Sequence, residues 1–249
     1  MNEESEKKVD FSSDNEIKQM IDMRDAKRKA LAYLRRGRAA QIPPEHMRVN
    51  REQFAELLDP DYIKQNSKGY KDVFGADYSA NDPKSFSEYL YDNADKLLDT
   101  NYILIDGGNA DARRRAGCAL LFRLIVCDKW GLYKECSKLS HIFQTVNIQG
   151  TDPHRNDLSN ELIKYGVVFI GEFYTQLMNV HFDTGTFFDE VFVARRYAHR
   201  PTIISYAEPI IEDNKIKHKD FGVTFADFST QIKPSKKVLR IKVVPYGTK

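Results

Sequence analysis

Beyond residue 100 the apolar positions follow two alternating rhythms. Short, nearly continuous apolar runs occur at YILI (102–105), VVFIGEF (167–173) and TIISY (202–206). Between them lie longer stretches in which apolar residues recur every three or four positions. The first rhythm belongs to strands buried on both faces and the second to helices packed along one side. The pattern predicts strands at 102–105, 141–148, 167–173, 202–206 and 238–244, and helices at 112–129, 157–164 and 186–197. Strands separated by helices imply an α/β fold with a central, mainly parallel sheet covered on both faces.

The preceding segment has a different character. In SDNE, Ser13 followed three residues later by Glu16 has the form of a capping box, predicting a helix over 13–38 that stops at Gly37. Ile17, Met20, Ile21, Leu31 and Leu34 give that helix a partial apolar stripe. Its basic residues, among them Arg24, Lys27, Arg28, Lys29, Arg35, Arg36 and Arg38, form either a solvated face or a binding surface. An amphipathic helix outside the main domain is suited to docking in a partner's groove. Residues 1–12 read as a disordered tail. Pro43 and Pro44 break the helical period and mark a boundary, leaving 39–249 as the main domain. A helix over 82–98 is expected to have Asp82 as N-cap and Pro83 as its first residue.

Composition narrows the class. A chain of 249 residues with 41% hydrophobic and 12% aromatic content can bury one sizeable core. The net charge of +2 does not by itself indicate nucleic acid, so any such affinity must come from local clusters. One cluster is C-terminal: Lys233, Lys236, Lys237, Arg240 and Lys242. Alternation puts Arg240 and Lys242 on one exposed face, either contacting phosphates or guarding an edge strand. No apolar run approaches the roughly 20 residues of a membrane helix, and the polar N-terminus carries no apolar signal core; a cytoplasmic protein is expected. Cys118, Cys127 and Cys136 lack metal-ligand spacing and read as reduced, buried thiols, and the histidines are scattered; no metal is expected.

The candidate chemistry lies in NYILIDGGNADARRRAGCALLFRLIV, residues 101–126. A buried strand enters a glycine turn at Gly107–Gly108 and leaves on an apolar helix, the layout of a phosphate-binding P-loop, G-x-x-x-x-G-K-[ST]. At the required spacing from Gly107 stand Ala112, Arg113 and Arg114.

The order of these features, with IPPEHMRV, VVFIGEF, ARRYAHRPTIIS and FGVTFADF, resembles the AAA+ domain of bacterial and phage helicase loaders of the DnaC/DnaI type. It also resembles the related IstB-type transposition helper ATPases. The resemblance spans roughly residues 40–245 and implies an AAA+/RecA-like P-loop fold. It further implies a replicative helicase as partner, docked through the N-terminal helix (Ile17, Met20, Ile21, Arg24, Arg28, Leu31). Single-stranded DNA, and association with itself or with an active AAA+ subunit, follow from the same resemblance. Its basic positions near subunit or DNA contacts correspond to Arg195 and Arg196, which read equally as cations stabilising a helix C-terminus. The other basic candidates are Arg113 and Arg115 at the old loop, either an anion site at a helix N-terminus or structural salt bridges to acidic neighbours, and Lys236, Lys237, Arg240 and Lys242 near the C-terminus. No helical lid is expected after the last strand.

The departures bear on activity. Arginine at 113 is not interchangeable with the phosphate lysine, and Arg114 has no hydroxyl to hold magnesium. Ala112 replaces the glycine that lets backbone wrap a phosphate, and Asp111 adds negative charge. The family's Asp-Glu pair is here Gly171–Glu172, and the polar sensor falls near Ser205 without the expected Asn. Phosphoryl transfer depends on positioning and charge neutralisation. The expectation is therefore a P-loop relic, a pseudo-ATPase with no cofactor, in which ATP and magnesium have a place only if the degenerate loop still binds. The alternatives are an IstB-like helper or a divergent active ATPase using Arg113.

Overall fold

The computed structural model describes residues 11–66, 70, 74, 83–127, 129–136, 153–173, 184–207, 211–212, 215–216 and 238–247. The chain begins with helix α1 (Phe11–Ala39) and a 3-10 turn at His46–Arg48. Helices α2 (Arg51–Leu57), α3 (Pro60–Gln65) and α4 (Pro83–Asp92) follow, then a 3-10 turn at Ala94–Asp99. The α/β body comprises β1 (Tyr102–Gly107), α5 (Ala110–Val126), β2 (Gly131–Glu135), α6 (Pro153–Lys164), β3 (Val167–Phe173), α7 (Thr184–Tyr197) and β4 (Thr202–Tyr206). A small antiparallel pair, β5 (Ile211–Glu212) with β6 (Lys215–Ile216), precedes β7 (Val238–Val243).

Five strands pair in the order β2-β3-β4-β1-β7, every neighbour parallel. This is the expected α/β architecture, and its packing explains the apolar runs. β1, β3 and β4 are interior strands with helices on both sides, so almost every residue on them is buried. Helix α5 and the N-terminal helices cover one face, where Phe54, Phe86, Leu120, Ile103 and Phe169 meet. Helices α6 and α7 cover the other, with Leu162, Phe192, Val168 and Ile204.

β7 is an edge strand of this sheet, and its outer rim is closed by the segments preceding β1. Asp59 N donates to Lys242 O at 2.9 Å, Val244 N to Leu57 O at 2.9 Å, and the Tyr70 hydroxyl to Arg240 O at 2.8 Å. Pairing of this kind blunts an edge that would otherwise recruit another chain.

Several expectations are corrected. Helix α1 already runs at Phe11, so Ser13 is an interior helical position and not a cap, and Gly37 does not stop the helix. Gly37 instead faces the body, where an added Cβ would come within 2.4 Å of Met47 Sδ and 3.0 Å of Phe122. Strand β2 lies at 131–135, where no strand was predicted, and α5 ends at Val126 and not at 129. GLYKE is short and its apolar positions do not alternate cleanly. The predicted strand at 141–148, Asp82, Lys233, Lys236 and Lys237 lie outside the described residues. Among the described residues no helix is long and apolar enough to cross a membrane.

Candidate functional site

In an open parallel sheet, ligands bind beyond the carboxyl ends of the strands where the connections diverge. Here that place is the end of β1. From β1 the chain moves to β2 on one side, and β7 is added on the other. The glycine turn sits at this point. Gly107 and Gly108 adopt φ of 76° and 50°, which only glycine takes without strain. A Cβ on either would meet the backbone oxygen of Val243 or Val244 at 2.7 Å. The chain leaving β7 therefore packs directly on the turn, and both glycines are required by that approach.

The turn leads directly into α5. Asn109 caps α5, its Oδ1 accepting from Ala112 N at 2.9 Å, and the helix starts at Ala110. Residues 110–112, loop in the P-loop pattern, are already helical. Asn109 Nδ2 donates to Tyr246 O at 2.7 Å, tying the segment after β7 across the helix start.

Arg113 turns into this turn from the first turns of α5. Its Nη1 donates to Gly107 O at 2.8 Å and Gly108 O at 3.2 Å. Nε and Nη2 grip Glu172 at 2.9 and 2.6 Å in a bidentate pair. Both residues are buried, 5% and 8% exposed. Ser205, at the end of β4, completes the group: Glu172 N donates to Ser205 Oγ at 2.9 Å, and the hydroxyl donates to Glu172 Oε1 at 3.2 Å. Glu172 has φ of 52°, a strained value for a non-glycine residue, where the β3–β4 register shifts. The fold thus brings Arg113, Glu172 and Ser205 together beneath the glycine turn. Here they hold one another.

The space beside Gly171 is likewise filled by protein. Gly171 lies opposite Glu135 in the β2–β3 register, and a Cβ there would stand 3.0 Å from Tyr133 Cε2. The Tyr133 ring stacks on Phe169 with centroids 5.0 Å apart, and burial pushes its hydroxyl above the usual tyrosine range. Arg114 pairs with Glu135 at 2.6 Å. Arg115 pairs with Asp111 at 2.7 Å and lies over the Tyr246 ring, 4.2 Å from its centroid. The arginine run 113–115 is therefore neutralised residue by residue. Ala112 is fully buried.

The other candidates are dispersed. Arg195, expected at a subunit or DNA surface, is 1% exposed. It points inward, where carbonyls at the end of α6 and just before β4 accept from it. It donates to Thr202 Oγ1 at 2.8 Å, Leu162 O at 2.5 Å, Tyr165 O at 2.9 Å and Pro201 O at 2.7 Å. Burial, followed by the nearby Arg200, pushes its pKa down to about 9, so it stays cationic at neutral pH. Arg196 lies half-buried over Tyr197, 5.5 Å from the ring centroid. On β7, Arg240 is exposed while Lys242 is half-buried, its Nζ 6.0 Å from the Tyr62 ring centroid. In α1, Ile21 and Leu31 are 54% and 49% exposed, and Arg24 and Arg28 are exposed as well. Ile17 and Met20 lie on the same helix. Sequence reasoning missed Asn109 and Tyr133. An Asn directly before a helical run was a readable cap signal, whereas Tyr133 carried none.

No protein-family model matches the sequence, and no curated protein sequence does. Among solved structures the chain is similar to DnaI, at 12% identity over 70% of this chain and 94% of that one, with a TM-score of 0.47. It is similar to the DnaC helicase loader at 11% identity, over 64% of this chain and 90% of that one, with a TM-score of 0.44. AMPPCP-bound DnaA from Aquifex aeolicus aligns at 11% identity over 74% of this chain, with a TM-score of 0.44; the chain spans 51% of that structure's length. Identities and scores this low say nothing about chemistry, which the site's own geometry decides.

Proposed function

We propose that this chain is a non-hydrolysing, AAA+-like DNA replication accessory protein that binds a replicative helicase and helps place it on single-stranded DNA. The observation that carries the reading is the Arg113–Glu172–Ser205 cluster beneath the Gly107–Gly108 turn. A guanidinium already occupies the turn, its countercharge comes from within the protein, and the metal-binding side chain is replaced by Tyr133. A triphosphate entering here would have to break a buried bidentate ion pair, and it would find no magnesium ligand at 114 or 171.

Loading does not demand hydrolysis by every component. Opening or holding a ring takes binding energy, and hydrolysis serves release. Helix α1 supplies a docking element, with Ile21, Met23 and Leu31 exposed along it. Association with itself or with an active AAA+ subunit belongs to the same reading.

The test has two arms. Calorimetry of the chain with Mg-ATP is expected to show no binding at micromolar concentration, and steady-state hydrolysis to stay at background. Immobilised chain is expected to retain a replicative helicase without added nucleotide, and to lose it when Ile21, Met23 and Leu31 are changed together to aspartate. ATP turnover abolished by Arg113→Ala would overturn the first half. Retention unaffected by the triple change would overturn the second.

A further inference from the structure

The edge of the sheet opposite the glycine turn, where the strands begin, differs from that turn in one respect: among the described residues its cations have no carboxylate partner. Trp130 immediately precedes β2 and is 65% exposed, and its carbonyl accepts from Val167 N at the start of β3 at 3.0 Å. Tyr197, the last residue of α7 just before β4, is 76% exposed. β2 and β4 flank β3, so their starts lie about 10 Å apart. Lys129 and Lys164 are exposed along this edge, and Arg196 lies over the Tyr197 ring. Among the described residues Arg200 donates to the carbonyls of Ile163 and Lys164, and beneath it Arg195 donates to carbonyls and the Thr202 hydroxyl. None of these five cations has a carboxylate partner among the described residues. Glu161, near the end of α6, is taken by Lys134 at 2.9 Å. Asp128 lies outside the described residues.

A buried arginine without a countercharge adds positive potential to the surface above it. Two exposed aromatic rings on that surface provide flat apolar faces. Together these are the parts of a single-strand nucleic-acid platform, in which cations follow the backbone and rings stack on bases regardless of sequence. Duplex DNA hides its base faces and would meet only the cations.

We propose that the Trp130–Tyr197 edge is a single-stranded DNA binding site, with both rings stacking on bases and Lys129, Lys164, Arg196 and Arg200 lying along the phosphates. Arg195 is a positioning residue that pins α6, α7 and β4 so that the strip keeps its shape. The proposal deepens the DNA contact in the function proposed above and is independent of helicase docking.

Trp130 is the single tryptophan of the chain, so intrinsic tryptophan fluorescence reports on this edge alone. The experiment titrates the full chain with oligodeoxythymidylate across a salt series and follows that fluorescence, with heparin as a polyanion lacking bases. Oligonucleotide is expected to change the fluorescence. Tyr197→Ala is expected to weaken binding about tenfold or more, while Tyr197→Phe keeps it. Changing Lys129 and Arg196 together to alanine is expected to lower the salt slope by about 1.4. These positions are at the surface, and unchanged melting curves confirm folded variants. Absence of binding overturns the site and the DNA contact together. Binding with unaltered fluorescence and no effect of Tyr197→Ala overturns the site alone. Equal losses for heparin and oligonucleotide in Tyr197→Ala also overturn it, because stacking then contributes nothing. Helicase retention, measured separately, separates any of these failures from failure of the loader reading.

Discussion

The Arg113 guanidinium meets the Glu172 carboxylate edge to edge, at 2.9 and 2.6 Å, while its remaining nitrogen closes on the carbonyls of Gly107 and Gly108. One side chain from α5 thereby ties the ends of β1 and β3 across 59 residues of sequence. Removing one partner leaves a buried charge without its counterion, whereas removing both does not. Arg113→Met is expected to destabilise the protein by about 3–5 kcal/mol. The double variant Arg113→Met/Glu172→Leu should lose clearly less than the sum of the two single losses. Urea unfolding of the four proteins in this cycle measures the coupling, and strict additivity would show that the pair contributes nothing.

Installing the residues of the P-loop pattern is not expected to create a nucleotide site. An aspartate at 171 would place its Cβ 3.0 Å from the Tyr133 ring, and α5 would still begin at Ala110. Gly171→Asp alone should cost about 1–3 kcal/mol through overpacking. The combination Ala112→Gly, Arg113→Lys, Arg114→Thr and Gly171→Asp should show no magnesium-dependent ATP binding by calorimetry. Micromolar binding by a folded combined variant would mean that residue identity, and not the shape of the turn, closes the site.

Arg195 offers a separate test of a buried cation without a carboxylate. Its planar fork reaches Thr202, Leu162, Tyr165 and Pro201 at once. A compact ammonium on a flexible stem cannot match that geometry. Arg195→Lys is expected to lower stability by about 1–3 kcal/mol because carbonyls are left without donors, and Arg195→Met by more. Thermal unfolding of both variants checks the order, and equal melting temperatures for wild type and Arg195→Lys would contradict it.

Where α1 stops being a free-standing helix is also measurable. Residues 21–32 are exposed, but Gly37 packs under Met47 and Phe122, and Ala40 O accepts from Tyr133 N at 2.8 Å. Deleting residues 1–31 should leave the urea midpoint unchanged while abolishing helicase retention. Deleting 1–38 should lower the midpoint, because Gly37 O also accepts from Ile42 N at 3.1 Å. Identical midpoints for the two truncations would show that the end of α1 contributes no stability.

Local sequence was sufficient wherever a short-range rule decided the outcome. Continuous apolar runs at 167–173 and 202–206 became β3 and β4, because a strand buried on both faces cannot alternate with polar residues. The glycine pair after β1 announced a turn, and Gly107 and Gly108 make it with positive φ. Local rules failed at Ser13 and Gly37, where the helix ran through both apparent signals. GLYKE became β2 only because β3 offered it a neighbour and α5 a cover.

The sequence by itself determined the strand, glycine turn and helix over 102–126, since those are properties of spacing and residue type. Only the tertiary structure decided that Arg113 answers Glu172, that Tyr133 fills the place opened by Gly171, and that Arg195 turns inward while Tyr197 faces out. Those outcomes depend on the strand order β2-β3-β4-β1-β7. A charge pairs with whatever the sheet places within about 3 Å of it, and no local period encodes that distance.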